Sequence, residues 1–247
     1  MKDEQLLRYS RQIMLPQMDV AGQQKLIDAT VLIVGMGGLG CPAAMYLAAA
    51  GVGHLMIADD DVVELTNLQR QVAHSHSMIG QPKVVSARKT LLGLNPDLKI
   101  TALQERLVGA NLSEAVSKAD LVLDACDNFT SRFAINAACI EHRKPLVSGA
   151  AIRMEGQIAV FDSRNPNSPC YQCLYSLGDD EDASCSENGV MAPLVGIIGA
   201  VQAMETIKLL TGIGESLTGR LLLLDASTLQ WREMRLPRDS NCGACSG

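Results

Sequence analysis

Aromatic residues are scarce in this 247-residue chain, where they make up 3% and include a single tryptophan. The core must therefore be filled mainly by aliphatic side chains, and hydrophobic residues as a whole reach 47%. Aliphatic filling is typical of helices packed on a parallel sheet. The length is enough for one sizeable core, so we expect a single α/β domain over residues 1–247.

Positive charge is also in short supply, because 21 Lys and Arg stand against 27 Asp and Glu and give a formal net charge of −6. A protein that binds a phosphate backbone needs a basic surface. The composition therefore predicts no nucleic acid partner.

Long apolar runs are missing as well. The N-terminal segment MKDEQLLRYSRQI mixes charged with apolar residues, unlike a signal peptide. The most apolar stretch, at 190–201, contains Pro193 and is followed by Gln202 and Glu205. It falls short of the roughly 18 to 20 apolar residues that span a membrane. We expect a buried helix there, no membrane partner and a cytoplasmic location.

Short apolar strands alternate with helical patterns up to residue 149, which predicts a parallel sheet. Strands are predicted at 31–34, 55–58, 100–103, 121–124 and 146–148, and helices at 41–50, 83–92, 112–119 and 130–142. Beyond this point the pattern predicts two strands closed by a glycine turn at Gly156, and a second strand pair at 221–224 and 231–236. We expect a Rossmann-like, mainly parallel sheet flanked by helices and continued by antiparallel strands.

A glycine-rich segment, GMGGLG, joins the first predicted strand to the first helix after it. Its amides and the helix N-terminus can hold a phosphate. After the second strand come Asp59, Asp60 and Asp61, where a carboxylate can accept hydrogen bonds from ribose hydroxyls. The pattern predicts an adenine-nucleotide site in a nucleotide-binding half at about 1–150. The alternative is that the glycines serve only tight packing of helix on sheet. The glycines concerned are Gly35, Gly37, Gly38 and Gly40.

Cations and one further acid follow at positions that suit a triphosphate. Arg70 lies in NLQRQ and Lys83 in GQPK, and both can neutralise phosphate charge, although either alone could be a solvated surface residue. Asp127, in DACDN, follows the fourth strand at the carboxyl edge of the sheet, where it could hold Mg²⁺. Its alternative role is the N-cap of the helix that begins near Thr130.

Taken together, GMGGLG, the acid-rich strand end, NLQRQ, GQPK, DACDN and VSGAAIRMEGQ resemble the MoeB/ThiF family, a relative of ubiquitin-activating enzymes. The resemblance covers nearly the whole chain. It implies a homodimeric adenylyltransferase that uses ATP and Mg²⁺. The substrate would be the C-terminal Gly-Gly carboxylate of a small ubiquitin-like sulfur-carrier protein, and the products an acyl-adenylate and pyrophosphate. A cysteine desulfurase or another sulfur donor would act afterwards, and the half at about 151–247 would bind the carrier.

The resemblance also assigns roles to individual residues. Gly38 would face the phosphates, Asp59 the ribose, and Asn67, Arg70 and Lys83 the triphosphate. Asp127 would bind or position Mg²⁺. Arg11 matches an arginine that in the family reaches into the active site of the partner subunit. With Arg11, Arg70, Lys83 and Asp127 taken as catalytic, the remaining nucleotide-site positions are Gly35, Gly37, Gly40, Asp61, Gln69 and Asn128.

Four of the eight cysteines form two CxxC pairs, Cys170 with Cys173 and Cys242 with Cys245. Two such pairs suit a structural, tetrahedral Cys₄ zinc site, whereas one pair alone could be a redox motif. We expect Zn²⁺ here, in the half at about 151–247.

A fifth cysteine, Cys185, lies in the acidic stretch 178–188, which we expect to be a mobile loop. In some relatives a cysteine at the matching place bonds covalently to the carrier, and in others it is dispensable. Acidic neighbours should raise the pKa of its thiol, which argues against such a bond. Cys41, Cys126 and Cys139 are predicted to be small buried residues.

Two questions stay open at the level of sequence. VSGAAIRMEGQ resembles the molybdopterin branch of the family, with a MoaD-like carrier, whereas IADDDV and the INAAC segment also suit the thiazole branch, with a ThiS-like carrier. From the glycine loop and Asp59 alone, a Rossmann NAD-dependent dehydrogenase would also be permitted. A third alternative is a zinc-stapled nucleotide-binding scaffold without catalytic activity.

Overall fold

The structure of the protein is a computed structural model, and it describes residues 1–175 and 189–246. Helices and strands alternate up to β5, as the apolar periodicity predicts. In chain order the elements are α1 (Asp3–Arg8), α2 (Ser10–Ile13), α3 (Asp19–Asp28), β1 (Thr30–Val34), α4 (Gly40–Ala50), β2 (His54–Ala58), α5 (Lys83–Leu94), β3 (Lys99–Leu103), α6 (Gly109–Ser117), β4 (Leu121–Asp124), α7 (Phe129–Glu141), β5 (Pro145–Ile152), β6 (Glu155–Asp162), α8 (Tyr171–Leu174), α9 (Ala192–Thr211), β7 (Arg220–Asp225) and β8 (Gln230–Arg235).

All eight strands lie in one sheet, in the order β3-β2-β1-β4-β5-β6-β7-β8. The pairs from β3 to β5 are parallel, and those from β5 to β8 are antiparallel. This confirms the expected fold class. The order of the strands reverses between β1 and β4, because β2 and β3 lie on one side of β1 whereas β5 lies beyond β4. The connections that follow β1 and β4 therefore leave in opposite directions and open a crevice at the carboxyl ends of the strands.

The sheet is covered on both faces. One apolar layer joins it to α4, α5 and α9, and a second layer joins it to α6 and α7. Every residue of β4 is buried, and so are four of the five residues of β1, because helices lie on both sides of these central strands. The two strands that flank the crevice are therefore held rigidly.

Helix α9 is longer than the sequence predicts, since it runs for 20 residues from Ala192 to Thr211. By length and composition it is the one helix among the described residues that could cross a membrane, but half of it is buried against the rest of the protein. It packs on α4 and β5, and the amide of its Gln202 donates a hydrogen bond of 2.8 Å to the carbonyl of Asp124 at the end of β4. Gln202 is thus a buried, hydrogen-bonded residue of the helix that lies beyond the apolar run on which the sequence prediction was based.

The expected glycine turn in the first hairpin is wrong. Strands β5 and β6 are joined by Arg153 and Met154, and Arg153 has φ 53. Gly156 lies inside β6, where a Cβ would come 2.5 Å from the Cδ1 atom of Ile198. The glycine is required by the close approach of α9 to the sheet and not by the turn.

Candidate functional site

A cavity of about 800 Å³ opens at the carboxyl ends of β1 and β4. Its walls come from the glycine-rich segment after β1, from the acids after β2, from the connection between β4 and α7, and from residues of β6, β7 and β8. A crevice at this point of a parallel sheet is where ligands bind in folds of this type.

The four glycines divide between packing and the cavity. Gly35 has φ 96, and a Cβ on it would lie 2.8 Å from the carbonyl oxygen of Ala125. A Cβ on Gly40 would lie 1.9 Å from the carbonyl oxygen of Gly35. Gly35 and Gly40 are needed for the tight turn. Gly35, Gly37 and Gly38 line the cavity, where Gly37 and Gly38 can present backbone amides to a phosphate.

Asp59 connects the glycine segment to the end of β2. One of its carboxylate oxygens accepts a hydrogen bond of 2.7 Å from the amide of Met36, and the other accepts one of 2.9 Å from the amide of Asp61. Burial raises the pKa of Asp59 above its ordinary value, and the ammonium of Lys83 at 3.9 Å opposes that effect. The carboxylate therefore lies at the cavity wall with its position determined by backbone donors.

Lys83 is the first residue of α5 and is 6% exposed. Its ammonium forms an ion pair of 2.7 Å with Asp61, whose carboxylate is largely exposed. Arg70 lines the same cavity, and its guanidinium donates a hydrogen bond to the carbonyl of Thr66. The two cations predicted from sequence thus lie on one cavity together with the glycine segment.

Asp127 and Asn128 have different roles in the connection between β4 and α7. The side chain of Asn128 accepts a hydrogen bond of 2.9 Å from the amide of Ser131, so Asn128 is the N-cap of α7. The alternative that Asp127 caps the helix is therefore wrong. Asp127 is exposed and lines the cavity, which leaves its carboxylate available to a cation.

A buried ion pair that sequence reasoning missed supports this connection. Arg132 and Asp124 are 6% and 1% exposed, and Nη1 of the arginine lies 3.7 Å from a carboxylate oxygen of the aspartate. The guanidinium also donates to the carbonyls of Cys126 and Gly149. The sequence signal for this pair was the short spacing between Asp124 at the end of a strand and Arg132 near the start of the next helix. An arginine that is buried there needs an acidic partner.

Other expected positions lie elsewhere. Among the described residues that line the cavity, four expected ones are absent: Gly40, Asn67, Gln69 and Arg11. Asn67 is buried, and its side chain accepts a hydrogen bond from the amide of Glu64. Gln69 is exposed, and Arg11 is exposed on α2.

The far end of the cavity contains residues that the sequence did not single out. Its lining includes Gln157 of β6, Leu223 of β7 and Arg232 of β8, together with Tyr171 and Tyr175 at the two ends of α8. Five of the eight aromatic residues gather here in contacting pairs, namely Phe129, Phe133, Phe161, Tyr171 and Tyr175. The few rings of the chain are thus concentrated beside the site.

The two CxxC pairs come together. Cys170 Sγ lies 3.6 Å from Cys242 Sγ and 3.9 Å from Cys173 Sγ, and Cys173 Sγ lies 3.6 Å from Cys245 Sγ. All four sulfurs are within 4.8 Å of one another. Around zinc with Zn–S bonds of about 2.3 Å, tetrahedral sulfurs stand about 3.8 Å apart. The cluster is compatible with a bound zinc ion.

The cysteines outside the two CxxC pairs differ in their burial. Cys41 and Cys139 are buried, as predicted, but Cys126 is partly exposed because it lies in the connection that lines the cavity. Burial raises the pKa of the Cys126 thiol well above its ordinary value, which leaves it a poor nucleophile. Cys185 and the acidic stretch around it lie outside the described residues.

Comparison with known proteins agrees with this geometry. Residues 9–244 match a family model described as the ThiF family. The chain is 51% identical over 245 residues to the molybdopterin-synthase adenylyltransferase of Escherichia coli (strain K12), with 99% of this chain and 98% of the relative covered. It is 47% identical over 247 residues to the sulfur carrier protein ThiS adenylyltransferase of the same strain, with 100% and 98% covered. A crystal structure of E. coli MccB with MccA-N7isoASN shares the fold, with a TM-score of 0.86 at 22% identity over 98% of this chain and 75% of that one. The chain therefore belongs to the ThiF family, and it is an adenylyltransferase.

Proposed function

We propose that the protein uses ATP to adenylate the C-terminal Gly-Gly carboxylate of a small ubiquitin-like sulfur-carrier protein of the MoaD type, in molybdenum cofactor biosynthesis. The observation that carries the proposal is the continuity of the cavity. It extends from the glycine segment and Lys83 to the faces of β6, β7 and β8, so a nucleotide and an extended peptide can meet inside it. The greater identity to the molybdopterin-synthase enzyme, 51% against 47%, favours a MoaD-like over a ThiS-like carrier.

The chemistry needs no nucleophilic side chain. A C-terminal carboxylate is ionised at neutral pH and can attack the α-phosphate of ATP, forming the acyl–phosphate bond while the bond to pyrophosphate breaks. The protein aligns the two reactants and stabilises the negative charge that moves to the leaving pyrophosphate. Arg70 and Lys83 are the cations on the cavity that can do this.

Asp127 is the proposed ligand of Mg²⁺. Its exposed carboxylate at the carboxyl edge of the sheet is the oxygen ligand that this ion prefers. When bound, Mg²⁺ supplies charge neutralisation at the phosphates. Asp59, held by two backbone donors, is proposed to accept hydrogen bonds from the ribose hydroxyls.

A second copy of the chain is proposed to complete the site. Arg11 is exposed on α2, and the same N-terminal region exposes the apolar side chains of Leu7, Met14 and Leu15. An exposed apolar surface beside a cation suits a protein interface. We propose that this surface is covered in a homodimer and that Arg11 then reaches the phosphates bound by the partner subunit.

The proposal extends to zinc, to the sulfur donor and to location. Zn²⁺ on the four clustered thiolates would join α8 and the residue before it to the C-terminal residues 242–245. A cysteine desulfurase or another sulfur donor would convert the acyl-adenylate to a thiocarboxylate. The reaction is placed in the cytoplasm, where ATP is present and thiolates stay reduced.

ATP–pyrophosphate exchange tests the function. Exchange should require a carrier that ends in Gly-Gly, should be faster with a MoaD-like than with a ThiS-like carrier, and should vanish when the two glycines are removed. NAD should give no binding. Exchange that proceeds equally well without any carrier would contradict the proposal.

Asp127→Ala tests the metal ligand. The fold should persist, because the residue is exposed and Asn128 caps the helix, while exchange should fall by more than tenfold, or about 1.4 kcal/mol in the barrier. Asp97→Ala is the matched control, since Asp97 is exposed and is not among the described residues that line the cavity. A loss below tenfold in Asp127→Ala would remove Asp127 from the catalytic set.

A further inference from the structure

His74 lies between Arg70 and Lys83 in the chain but is not among the described residues that line the cavity. It is 8% exposed, so it is buried behind the wall that its neighbours form. A buried histidine in such a place needs partners at both ring nitrogens, because an unsatisfied nitrogen would cost free energy.

Both nitrogens have a partner. Nε2 lies 3.0 Å from the carbonyl oxygen of Met36, and Nδ1 lies 3.0 Å from the hydroxyl of Ser86. A carbonyl can only accept, so Nε2 carries the proton and donates it to Met36, and the Ser86 hydroxyl donates to Nδ1. One neutral tautomer satisfies the whole set. The Cys41 thiol also donates to the Met36 carbonyl, at 3.3 Å.

These bonds act on the centre of the glycine segment. Met36 stands between Gly35 and Gly37, and its amide already donates to Asp59 at 2.7 Å. Its carbonyl is held by His74 on the other side. With both polar groups of Met36 engaged, the neighbouring peptide planes have little freedom, and these planes carry the amides that face the cavity.

The bond from His74 to Ser86 extends the connection to α5. Ser86 lies three residues after Lys83, so the two side chains share a face of that helix. The imidazole therefore joins the glycine segment to the helix that carries Lys83. We infer that His74 is a positioning residue, which holds the phosphate-facing amides in register with the Lys83 ammonium without touching the nucleotide.

The inference rests on nucleotide binding as proposed above, and the direct test is ATP affinity measured by calorimetry without carrier. His74→Phe keeps the ring volume but loses both hydrogen bonds, and the dissociation constant for ATP should rise at least tenfold. His74→Gln keeps a donor for the Met36 carbonyl, and the constant should stay within threefold of the unaltered protein. Ser86→Ala removes one bond of the set and should give a rise of about threefold.

His54→Phe is the matched control. His54 is also bonded at both ring nitrogens, to Thr101 at 2.9 Å and Thr30 at 3.4 Å, but it begins β2 at the opposite edge of the sheet. The same substitution there should leave ATP affinity unchanged. In the exchange assay His74→Phe should raise the KM for ATP and leave the KM for the carrier unchanged. Amides 36–41 should exchange hydrogen faster in His74→Phe than in His54→Phe.

Two kinds of result would overturn the positioning role of His74. Unchanged ATP affinity in a folded His74→Phe protein overturns the inference, as does a parallel rise in both KM values. Should His74→Phe fail to fold, Ser86→Ala decides, and an ATP affinity equal to that of the unaltered protein overturns the inference. Failure of the unaltered protein to bind ATP overturns the proposed function together with it, whereas normal binding there with no effect in the variants overturns the inference alone.

Discussion

Replacing Asp124 by asparagine should destabilise the protein strongly, because it leaves Arg132 buried without a counter-charge. The two side chains are 1% and 6% exposed, and their charged groups are 3.7 Å apart. At an effective dielectric constant of about 20, charges at that separation attract by roughly 4 to 5 kcal/mol. Measured losses after removal of one partner from a buried pair are about 3–5 kcal/mol. We therefore expect the free energy of unfolding to fall by about 3–5 kcal/mol.

The substitution also disturbs the neutral contacts of the carboxylate. Asp124 accepts a hydrogen bond of 2.8 Å from the hydroxyl of Ser148 and one of 3.0 Å from the amide of Cys126. An asparagine places an NH₂ group where one of these acceptors is needed, so one donor loses its partner. For a chain of this length each kcal/mol lowers the melting temperature by about 2–4 °C, which predicts a drop of roughly 6–20 °C.

Urea unfolding followed by circular dichroism, with the zinc content held equal, measures the effect. Glu114→Gln is the matched control, because it breaks an exposed ion pair between Glu114 on α6 and Lys118 at the end of that helix, and it should leave the urea midpoint unchanged. Adding Arg132→Met to Asp124→Asn should recover much of the loss, since no charge then remains buried. A loss below about 1 kcal/mol in Asp124→Asn alone would refute the reasoning.

Four further results are expected. Purified protein should carry about one zinc per chain, and Cys173→Ala should lose it and melt at a lower temperature; metal analysis that finds none would contradict the site. Arg11→Ala and Lys83→Ala should each be inactive, but a re-associated mixture of the two variants should regain ATP–pyrophosphate exchange, because one of the two sites in a mixed dimer has both residues. A mixture that stays inactive although mixed dimers are shown to form would place Arg11 outside the partner's site. Burial lowers the pKa of His74 below 6.5, so the unfolded chain binds a proton at a higher pH than the folded protein does. The free energy of unfolding should therefore decrease as the pH falls below 6.5. The urea midpoints at pH 5 and pH 7 should differ less in His74→Phe than in the unaltered protein. Cys185→Ala should retain ATP–pyrophosphate exchange, since the acyl-adenylate forms by direct carboxylate attack, and a collapse of exchange in a folded variant would give that residue a role in adenylation.

The elements that sequence predicted best are those whose signal is local. Strand β1 and the glycine segment after it form as expected, because an apolar run, a turn and a helix start follow one another directly in the chain. The convergence of Asp59, Arg70, Lys83 and Asp127 on one cavity was also predictable, since parallel strands bring their carboxyl ends to one edge.

The features that could not be predicted depend on three-dimensional contacts, distant or local, that the residue pattern does not show. Gly156 is required by the side chain of Ile198, which is 42 residues away, so its place in the sequence suggested a turn. Asp127 and Asn128 are equally good caps by composition, and only the backbone geometry selects Asn128. The inward orientation of Asn67 likewise depends on its local bond to Glu64, which a motif does not encode.

The unbroken pairing from β1 through β4, β5 and β6 to β7 would set a fixed length for the tail of the proposed carrier. Because β1, β4, β5, β6 and β7 share one hydrogen-bonded sheet, the strand that carries the glycine segment and the strands at the other end of the cavity cannot hinge toward each other. An extended peptide advances about 3.3 to 3.6 Å with each residue, whereas a reacting carboxylate must come within about 3 to 3.5 Å of the phosphorus. The rigid sheet would therefore select the length of the carrier tail. A tail that is one glycine too long or too short would place its carboxylate too far from the α-phosphate, or past it, for the bond to form.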